Sequence, residues 1–396
     1  MTDTKVTCVA CGDYPVNHHL MYVSKSIDAW GNDRMQFIER WQPFGQLSRF
    51  VQVNVTLLTP RLIRLLHAVY GRKTFKDPTY VEMERTRVIW EEATRRGIPM
   101  EQLALFGNPI DSYRAYLNDS WIYFESLPIP PRMAARSRAY IDDKFLFKQF
   151  LKEHDIPTAI AGMATDLSHA HEQFKKLQLP VVVKPRLGSN SRHTTPLVQT
   201  EHEFDKAFRL AQQLGRCVLF EEHLNGHLCR ATVVDGKLVG FLESRQPYVT
   251  GDGKRTIREL VADKNLHKME RISDVILTGD NEAHIRRQKY ELDSIPAEGV
   301  SVIVGRLPGR LMGGETHEMP NEIHSKLRQY VEKTAQLLQI PLAGFDLIIP
   351  DATHDPDLQR WGILEANTVP FIEIHTDPLY GTPSNVAAAV WDLWEK

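Results

Sequence analysis

The chain has 396 residues, of which 42% are hydrophobic and 25% are charged, as in an ordinary globular protein. Lys and Arg (48) nearly balance Asp and Glu (50), so no overall positive charge attracts the chain to nucleic acid or to a membrane surface. Four cysteines are too few for a disulfide scaffold. The first residues lack a secretory signal pattern, and no apolar run reaches the roughly 20 residues of a membrane span. We therefore expect a cytoplasmic protein of two or three domains.

The N-terminus carries a cysteine pair. Val6–Cys11 is a short apolar run that predicts a first strand, and within it Cys8 and Cys11 form a C-x-x-C pattern. His18 and His19 follow, but a zinc site needs four ligands, and no second pair at matching spacing stands out. We therefore favour strand packing for the two cysteines over a metal or redox role.

Strand and helix patterns alternate over the rest of the first 130 residues. Phe50–Leu58 has the β-branched alternation of a strand, and a helical pattern follows Pro60. A second helix is predicted over Val81–Arg96. The prolines within residues 127–131 interrupt both kinds of element and mark a domain boundary.

After this boundary the patterns become clearer. Helices are predicted over Asp142–His154, Glu201–Leu214 and Glu322–Leu338, and strands over Val181–Pro185, Cys217–Leu224, Ala231–Leu242, Ala343–Ile349 and Trp361–Ala366. Asp235-Gly236 predicts a hairpin turn inside the Ala231–Leu242 run.

Three oxygen-bearing side chains lie on the last two of these strands. Asp346 is on one strand, while Glu365 and Asn367, two residues apart, share a face of the next. Apolar neighbours make an unpaired carboxylate costly there, and two carboxylates with an amide oxygen suit Mg²⁺. The alternative is a pair of surface acids at strand ends, which is common when such a pair stands alone.

Two lysines stand where an ammonium group can meet a phosphate. Lys184 ends a buried strand before a polar loop, and Lys144 opens a helix. The polar end of the strand within Cys217–Leu224 can present backbone groups to an adenine edge, although an edge strand explains it equally well. Either lysine alone is a weak signal, because most lysines are merely solvated.

In this order the residues resemble the motifs of ATP-grasp ligases. The segments that carry the resemblance are Asp143-Lys144, Val182–Pro185, Glu221-Glu222-x-Leu224-x-Gly226, and Asp346 with Glu365-x-Asn367. Finer matches to cyanophycin synthetases and to the glutathione synthetase half of bifunctional enzymes are Gly251–Gly253, Thr256–Leu260, Leu292–Pro296, Gly313-Gly314, Asn367-x-x-Pro370 and His375-Thr376-x-Pro378-x-x-Gly381. The resemblance covers roughly residues 135–385 and is thin before them.

The resemblance implies an α/β chain with the α+β ATP-grasp fold, preceded by an α/β pre-ATP-grasp-like N-terminal domain. The expected domains are 1–130, the first lobe with a phosphate-covering loop at 135–225, and the C-terminal lobe with the metal site at 226–396. The roles it implies are phosphate binding by Lys144, Lys184, Ser189, Asn190 and Ser191, adenine binding by Glu221, Glu222, His223 and Leu224, ligation of two Mg²⁺ by Asp346, Glu365 and Asn367, and catalysis by Arg230, Arg306 and Arg310.

The sequence also departs from the family pattern. Leu228 stands where an acid for the ribose hydroxyls is expected, and the covering loop at 188–193 is poor in glycine. Segments 305–310 and 371–373 differ where relatives surround the acyl-transfer site. We therefore expect retained nucleotide chemistry and a rebuilt substrate pocket.

The implied function is an ATP- and Mg²⁺-dependent carboxylate–amine ligase. It would act through an acyl phosphate on a small amino-acid-like or peptide-like substrate. The alternatives are a non-catalytic nucleotide-binding protein and an ATP-grasp phosphotransferase. Expected partners are a small-molecule carboxylate and amine, not nucleic acid or membrane, and a homodimer stays open. The sequence does not name the acid or the amine.

Overall fold

The computed structural model describes residues 8–11, 16–40, 58, 61–69, 73–134, 141–188 and 192–395. The helices are α1 (His18–Arg40), α2 (61–69), α3 (Glu84–Arg95), α4 (Pro131–Ala134), α5 (Lys144–Glu153), α6 (Leu167–Phe174), α7 (Glu201–Gln212), α8 (Ile257–His267), α9 (Gly279–Arg287), α10 (Ser325–Leu338) and α11 (Val386–Trp391). The strands are β1 (Thr74–Phe75), β2 (Met100–Leu105), β3 (Asn108–Leu117), β4 (Ser120–Glu125), β5 (Ala161–Ala164), β6 (Val181–Pro185), β7 (Thr195–Val198), β8 (Val218–Glu222), β9 (His227–Val234), β10 (Lys237–Arg245), β11 (Tyr248–Thr250), β12 (Ser301–Ile303), β13 (Glu315–Glu318), β14 (Leu342–Ile349), β15 (Gly362–Asn367) and β16 (Tyr380–Gly381).

Two sheets position the candidate site. The first has the strand order β5-β8-β6-β7 and is antiparallel throughout. The second has the order β15-β14-β9-β10-β13-β16, in which the short β13–β16 pair is parallel. Helices α6 and α7 pack on the first sheet, and α5 and α10 pack on the second. Each sheet therefore has a helical layer on one side, and residues of both sheets line a common cleft.

Helix α7 shows how sequence sets these layers. Thr200 and Glu203 form a reciprocal capping box, in which each side chain accepts the backbone N–H of the other at 3.2 Å. Phe204, Phe208 and Ala211 then recur at helical spacing and are buried against the first sheet. Replacing Phe204 by Ala should cost about 3–5 kcal/mol.

The segment between β10 and β13 is a small unit with its own core, formed by β11, β12, α8 and α9. The Asp252 side chain accepts hydrogen bonds from the backbone N–H groups of Lys254 and Arg255 in the same turn. A Cβ on Gly251 would lie 2.4 Å from the carbonyl oxygen of Ala297, so glycine is required there. Thr256 and Glu259 form the capping box of α8. This part of the family-like pattern therefore maintains the fold.

The N-terminal segments divide between two parts of the molecule. Strands β1–β4 form an antiparallel sheet whose core includes α3 and α11, and Trp391 Nε1 donates to the carbonyl of Ile89 at 3.0 Å. Helix α1 instead contacts the first central sheet, where Asp33 pairs with Arg186 at 2.6 Å. The sequence-based division into three domains stays a prediction.

Most predicted elements after residue 140 are confirmed: the three helices are α5, α7 and α10, and the strands are β6, β8, β9 with β10, β14 and β15. The helix predicted over Val81–Arg96 is α3, and residues 61–69 are helical as expected. Phe50–Leu58 lies outside the described residues apart from its last one. Among the described residues, no helix combines the length and apolarity needed to cross a bilayer.

The strand predicted at Val6–Cys11 is wrong over its described part. Val9–Cys11 forms a 3₁₀ turn, closed by a hydrogen bond from the Cys11 N–H to the Cys8 carbonyl at 3.0 Å. The Ala10 carbonyl accepts the N–H of His193 at 3.3 Å. An apolar run this short does not distinguish a strand from a buried turn.

Candidate functional site

A cleft of about 490 Å³ lies between the two central sheets. Its walls come from β6, β7 and β8 on one side and from β9, β14 and β15 on the other, with the start of α5 at its edge. The sequence-predicted residues that line it are Lys144, Lys184, Glu221, Glu222, His223, Leu224, Asp346, Glu365 and Asn367. The fold thus brings the predicted nucleotide and metal residues to one place.

The predicted metal ligands form one group. Asp346 and Glu365 are direct cross-strand partners on β14 and β15. A bulge next to this pair inserts Leu364 on β15, and Asn367 follows Glu365 on the same side of the strand. All three oxygen-bearing side chains line the cleft, as the spacing predicts.

The electrostatics of this group fit a bound cation. Burial and the neighbouring Glu365 carboxylate raise the pKa of Asp346 to about 6, although Arg230 acts in the opposite direction. Burial also raises the pKa of Glu365, but the Lys144 and Lys184 ammonium groups outweigh it and hold that pKa below its usual value. Two facing carboxylates oppose each other's ionisation, and hard oxygen ligands of this kind suit Mg²⁺.

Arg230 stands beside these ligands on β9. Its Nε and Nη2 donate to the two oxygens of Asp346 at 2.5 and 3.1 Å, a bidentate pair. Its Nη1 is buried and has no hydrogen-bond partner among the described residues. A Cβ on Gly344 would lie 2.9 Å from this nitrogen, so glycine at 344 leaves the guanidinium its place. Arg230 therefore keeps one free donor beside the acidic group.

The predicted lysines are held by carboxylates. Lys144 Nζ lies 3.4 Å from Glu365 Oε2. Lys184 Nζ donates to Glu221 Oε1 at 2.5 Å, and Lys148 Nζ lies 2.7 Å from the other oxygen of Glu221. Burial raises the pKa of Glu221, but the two ammonium groups outweigh it and lower that pKa to about 2. Glu221 is thus ionised and fixes the position of Lys184.

Comparison with known proteins finds synthetases with similar sequences and a similar fold. The chain is 30% identical over 225 residues to a cyanophycin synthetase of Geminocystis herdmanii, covering 54% of this chain and 25% of that protein. It is 26% identical over 318 residues to the glutathione biosynthesis bifunctional protein GshAB of Listeria monocytogenes, covering 78% of this chain and 41% of that protein. A bifunctional glutathione synthetase from Pasteurella multocida has a TM-score of 0.53 at 23% identity, covering 80% of this chain and 44% of that one.

The chain is a homologue of these ligases and has the ATP-grasp fold. It spans less than half the length of each of these relatives. No protein-family model matches it.

Within this ATP-grasp fold, the segment predicted to hold adenine is partly used by the fold. The N–H groups of Glu222 and His223 donate to the carbonyls of Ile160 and Pro180, each at 2.9 Å. The Glu222 carboxylate accepts a hydrogen bond from the N–H of Ile160 at 2.9 Å and forms an ion pair with Arg360. His223 and Leu224, which follow β8, line the cleft beyond these hydrogen bonds.

The phosphate-covering loop is described only at its ends. Ser189, Asn190 and Ser191 lie outside the described residues, so their predicted role stays a prediction. Leu228 lines the cleft on β9, next to Ile348 on β14. The position of the missing ribose acid is therefore part of an apolar wall.

The structure does not bring Arg306 and Arg310 to the cleft. Arg306 pairs with Asp280 at 3.4 Å, and Arg310 pairs with Asp377 at 2.9 Å, both at the exposed surface. Neither arginine lines the cleft walls. The sequence placed them next to the motif glycines 313 and 314, but the loop directs them to surface acids. We leave both out of the site.

Sequence reasoning missed two residues, Lys148 and Arg85. Lys148 was detectable, because it lies four residues after Lys144 and so on the same side of α5. The other is Arg85, which lies beside the segment 371–373 that the sequence had indicated: Arg85 Nε and Glu373 Oε2 are both buried without a hydrogen-bond partner among the described residues. The Arg85 guanidinium also lies 5.4 Å from the centre of the Phe371 ring. Only the fold joins these distant segments.

Proposed function

We propose that this protein is an ATP- and Mg²⁺-dependent carboxylate–amine ligase that releases ADP and phosphate. The observation that carries the proposal is the shared cleft, which is lined by the Lys144 and Lys184 side chains together with the cross-strand Asp346–Glu365 pair. Lysine charges bind the phosphates of a nucleotide. The carboxylates would repel those phosphates unless a cation such as Mg²⁺ lay between the two negative groups. The arrangement therefore fits a metal-bound nucleoside triphosphate.

Each side chain has a definite task in this proposal. Asp346, Glu365 and Asn367 would hold Mg²⁺, which neutralises charge on the transferring phosphoryl group when bound. Lys184, fixed by Glu221, and Lys144 bind and orient phosphate oxygens. Phosphorylation turns a substrate carboxylate into an acyl phosphate, and an amine then displaces phosphate to form the amide.

The unpartnered polar atoms point to where the acyl substrate lies. Arg230 Nη1 lies over Gly344, and a Cβ built on Gly344 would also meet Pro370 at 2.7 Å. Burial raises the pKa of Glu373, and its carboxylate feels the charges of Arg85 and Arg230. We assign Arg230 to the reacting carboxylate or its oxyanion, and the other two to the far end of the substrate.

Free donors and a free acceptor in one region favour a small substrate that carries both charges, such as an amino acid or a short peptide. The single carboxylate of Glu373 suits an ammonium group, and Arg85 suits a second carboxylate. The partners in this proposal are small molecules. A cytoplasmic location and a homodimer remain expectations from the sequence.

The test is a substrate screen with ATP and Mg²⁺. Amino acids and short peptides are offered singly and in pairs, ADP and phosphate are measured separately, and products are identified by mass spectrometry. We expect equal amounts of ADP, phosphate and amide only when both an acid and an amine are present. ADP without phosphate would identify a phosphotransferase. No ADP across the screen, with ATP still bound, would favour the non-catalytic alternative that Leu228 suggests.

A further inference from the structure

Four metal-binding side chains meet outside the cleft. Cys8 and Cys11 in the N-terminal turn, His18 at the start of α1 and His193 before β7 place their ligand atoms within 4.8 Å of one another. Cys11 Sγ lies 3.1 Å from His18 Nε2 and 3.4 Å from His193 Nε2, and Cys8 Sγ lies 3.6 Å from His193 Nε2. Ligand atoms around tetrahedral zinc are about 3.3–3.8 Å apart for the usual Zn–S and Zn–N bond lengths.

The backbone holds the cluster in this arrangement. The Cys11 N–H closes the turn onto Cys8, and the His193 N–H donates to the carbonyl of Ala10. His193 Nδ1 lies 2.8 Å from the carbonyl of Leu210, an acceptor only, so Nδ1 carries the proton and donates. The lone pair of Nε2 therefore faces the two sulfurs. Histidines that bind a metal through one ring nitrogen are commonly oriented in this way, by a carbonyl that accepts the N–H of the other ring nitrogen.

We propose that Cys8, Cys11, His18 and His193 form a structural Zn²⁺ site. Two thiolates and two neutral imidazoles make the tetrahedral set that selects zinc among common divalent ions. Binding releases two thiol protons to water, and the resulting centre is electrically neutral. That neutrality suits its partial burial, since Cys11 and His193 are only 4% and 1% exposed. With four protein ligands the centre has no open position for a substrate.

The zinc would join two segments that are far apart in sequence. Three ligands lie within residues 8–18, and the fourth, His193, is the last residue of the predicted phosphate-covering loop at 188–193. Helix α1, which begins at His18, reaches the first lobe through Asn32, which donates to Asp143 at 3.1 Å, and through Asp33, which pairs with Arg186. The metal thus anchors α1 and one end of the covering loop to the same lobe.

The direct test is the metal content of the reduced full-length protein, which does not depend on any ligase activity. We expect about one zinc ion per chain after purification without chelator. Cys11→Ser and His193→Ala should each lose the bound zinc. Cys217→Ser and His202→Ala are the matched controls and should keep it, because neither side chain belongs to the cluster.

A second measurement guards against variants that fail to fold. Zinc released from one wild-type sample by a thiol-specific mercurial should be quantified with a chromogenic chelator. Co²⁺ added to a second sample, emptied by a chelator under reducing conditions so that its thiols stay free, should give the visible bands of a tetrahedral site with thiolate ligands. A wild type that takes up neither Zn²⁺ nor Co²⁺ would overturn the proposal. A protein that stays free of metal under reducing conditions, with a mass that shows a Cys8–Cys11 disulfide, would also overturn it. Retention of zinc by both Cys11→Ser and His193→Ala would do the same.

Discussion

The Lys184 ammonium group lies 2.5 Å from the Glu221 carboxylate, and both side chains are shielded from water. The other oxygen of Glu221 meets Lys148, which is 4% exposed. One carboxylate therefore faces two ammonium groups, which leaves one net positive charge, and Lys184 lines the cleft where this charge can meet a phosphate. This buried triad positions a phosphate-binding charge before any nucleotide arrives.

Removing the shared carboxylate should destabilise the fold. Glu221→Gln leaves two buried ammonium groups without a counter-charge, a loss of about 3–5 kcal/mol in the free energy of unfolding. The double variant with Lys148→Met should recover part of it, because one unpaired charge is removed as well. Urea unfolding of wild type, both single variants and the double variant measures the coupling. Additive losses would show that the triad does not act as a unit.

The same carboxylate sets a pH dependence of stability. The pKa of Glu221 is about 2 in the folded protein against an ordinary value of 4.5, so its contribution is present above pH 4.5 and is lost as the pH falls toward 2. The stability difference between wild type and Glu221→Gln should narrow by a few kcal/mol over this window. The exposed variant Glu172→Gln should follow the wild-type curve. If the stability difference between wild type and Glu221→Gln stays constant over this pH window, the pKa of Glu221 is not lowered in the folded protein.

Lys184 should be required for nucleotide binding. Lys184→Met removes the charge that lines the cleft, and we expect at least a tenfold loss of affinity for a non-hydrolysable ATP analogue, about 1.4 kcal/mol. Titration calorimetry measures it, with the exposed variant Lys175→Met as the control. Since Glu221 keeps Lys148 as a partner, the variant should still fold. Unchanged affinity would place Lys184 outside the phosphate site.

The acidic group should act in turnover and not in packing. Glu365→Gln keeps the size of the side chain but weakens metal binding, so ATP turnover at saturating Mg²⁺ should fall by about a hundredfold or more, near 2.7 kcal/mol. The melting temperature should change little, because the side chain lies at the cleft and the apolar core of β15 is intact. Near-normal turnover would mean that the metal ligands are misassigned.

The sequence predicted those parts of the molecule whose signals are local. Strand alternation placed Glu365 and Asn367 on one side of β15, and both line the cleft. The motif histidine His375 could be matched but not explained. In the structure it is fully buried and lies 2.7 Å from both Glu318 and Thr232, so it joins strands instead of meeting a substrate.

Contacts between distant segments were beyond prediction. Cys11 and His193 are 182 residues apart, and a lone histidine in a polar loop has no spacing signal. The sequence therefore does not indicate His193 as the fourth ligand of the proposed zinc site. Glu221 was matched to an adenine-binding motif, yet its partners are two lysines that converge only when β6, β8 and α5 pack. Arg310 points to Asp377, which is 67 residues away in the sequence. The sequence alone does not show that these two charges are neighbours.

The arginines give the sharpest test of the site. Arg230 binds Asp346 bidentately and keeps a free, buried Nη1, whereas Arg310 is paired with Asp377 at the surface. If the free donor stabilises the acyl phosphate or the oxyanion, its loss removes an interaction made mainly in the transition state. Arg230→Met should then lower kcat about a hundredfold or more while substrate KM changes little.

The matched variants are Arg306→Ala and Arg310→Ala, which remove the same charge from the exposed loop. Each should change kcat less than about threefold, under roughly 0.7 kcal/mol. Steady-state ADP release and ATP affinity for all three variants separate the possibilities. A large kcat loss in Arg310→Ala would return this arginine to the acyl site. If Arg230→Met loses only Mg²⁺ affinity, Arg230 acts by orienting Asp346. The variant removes the hydrogen bonds that hold this predicted metal ligand in place.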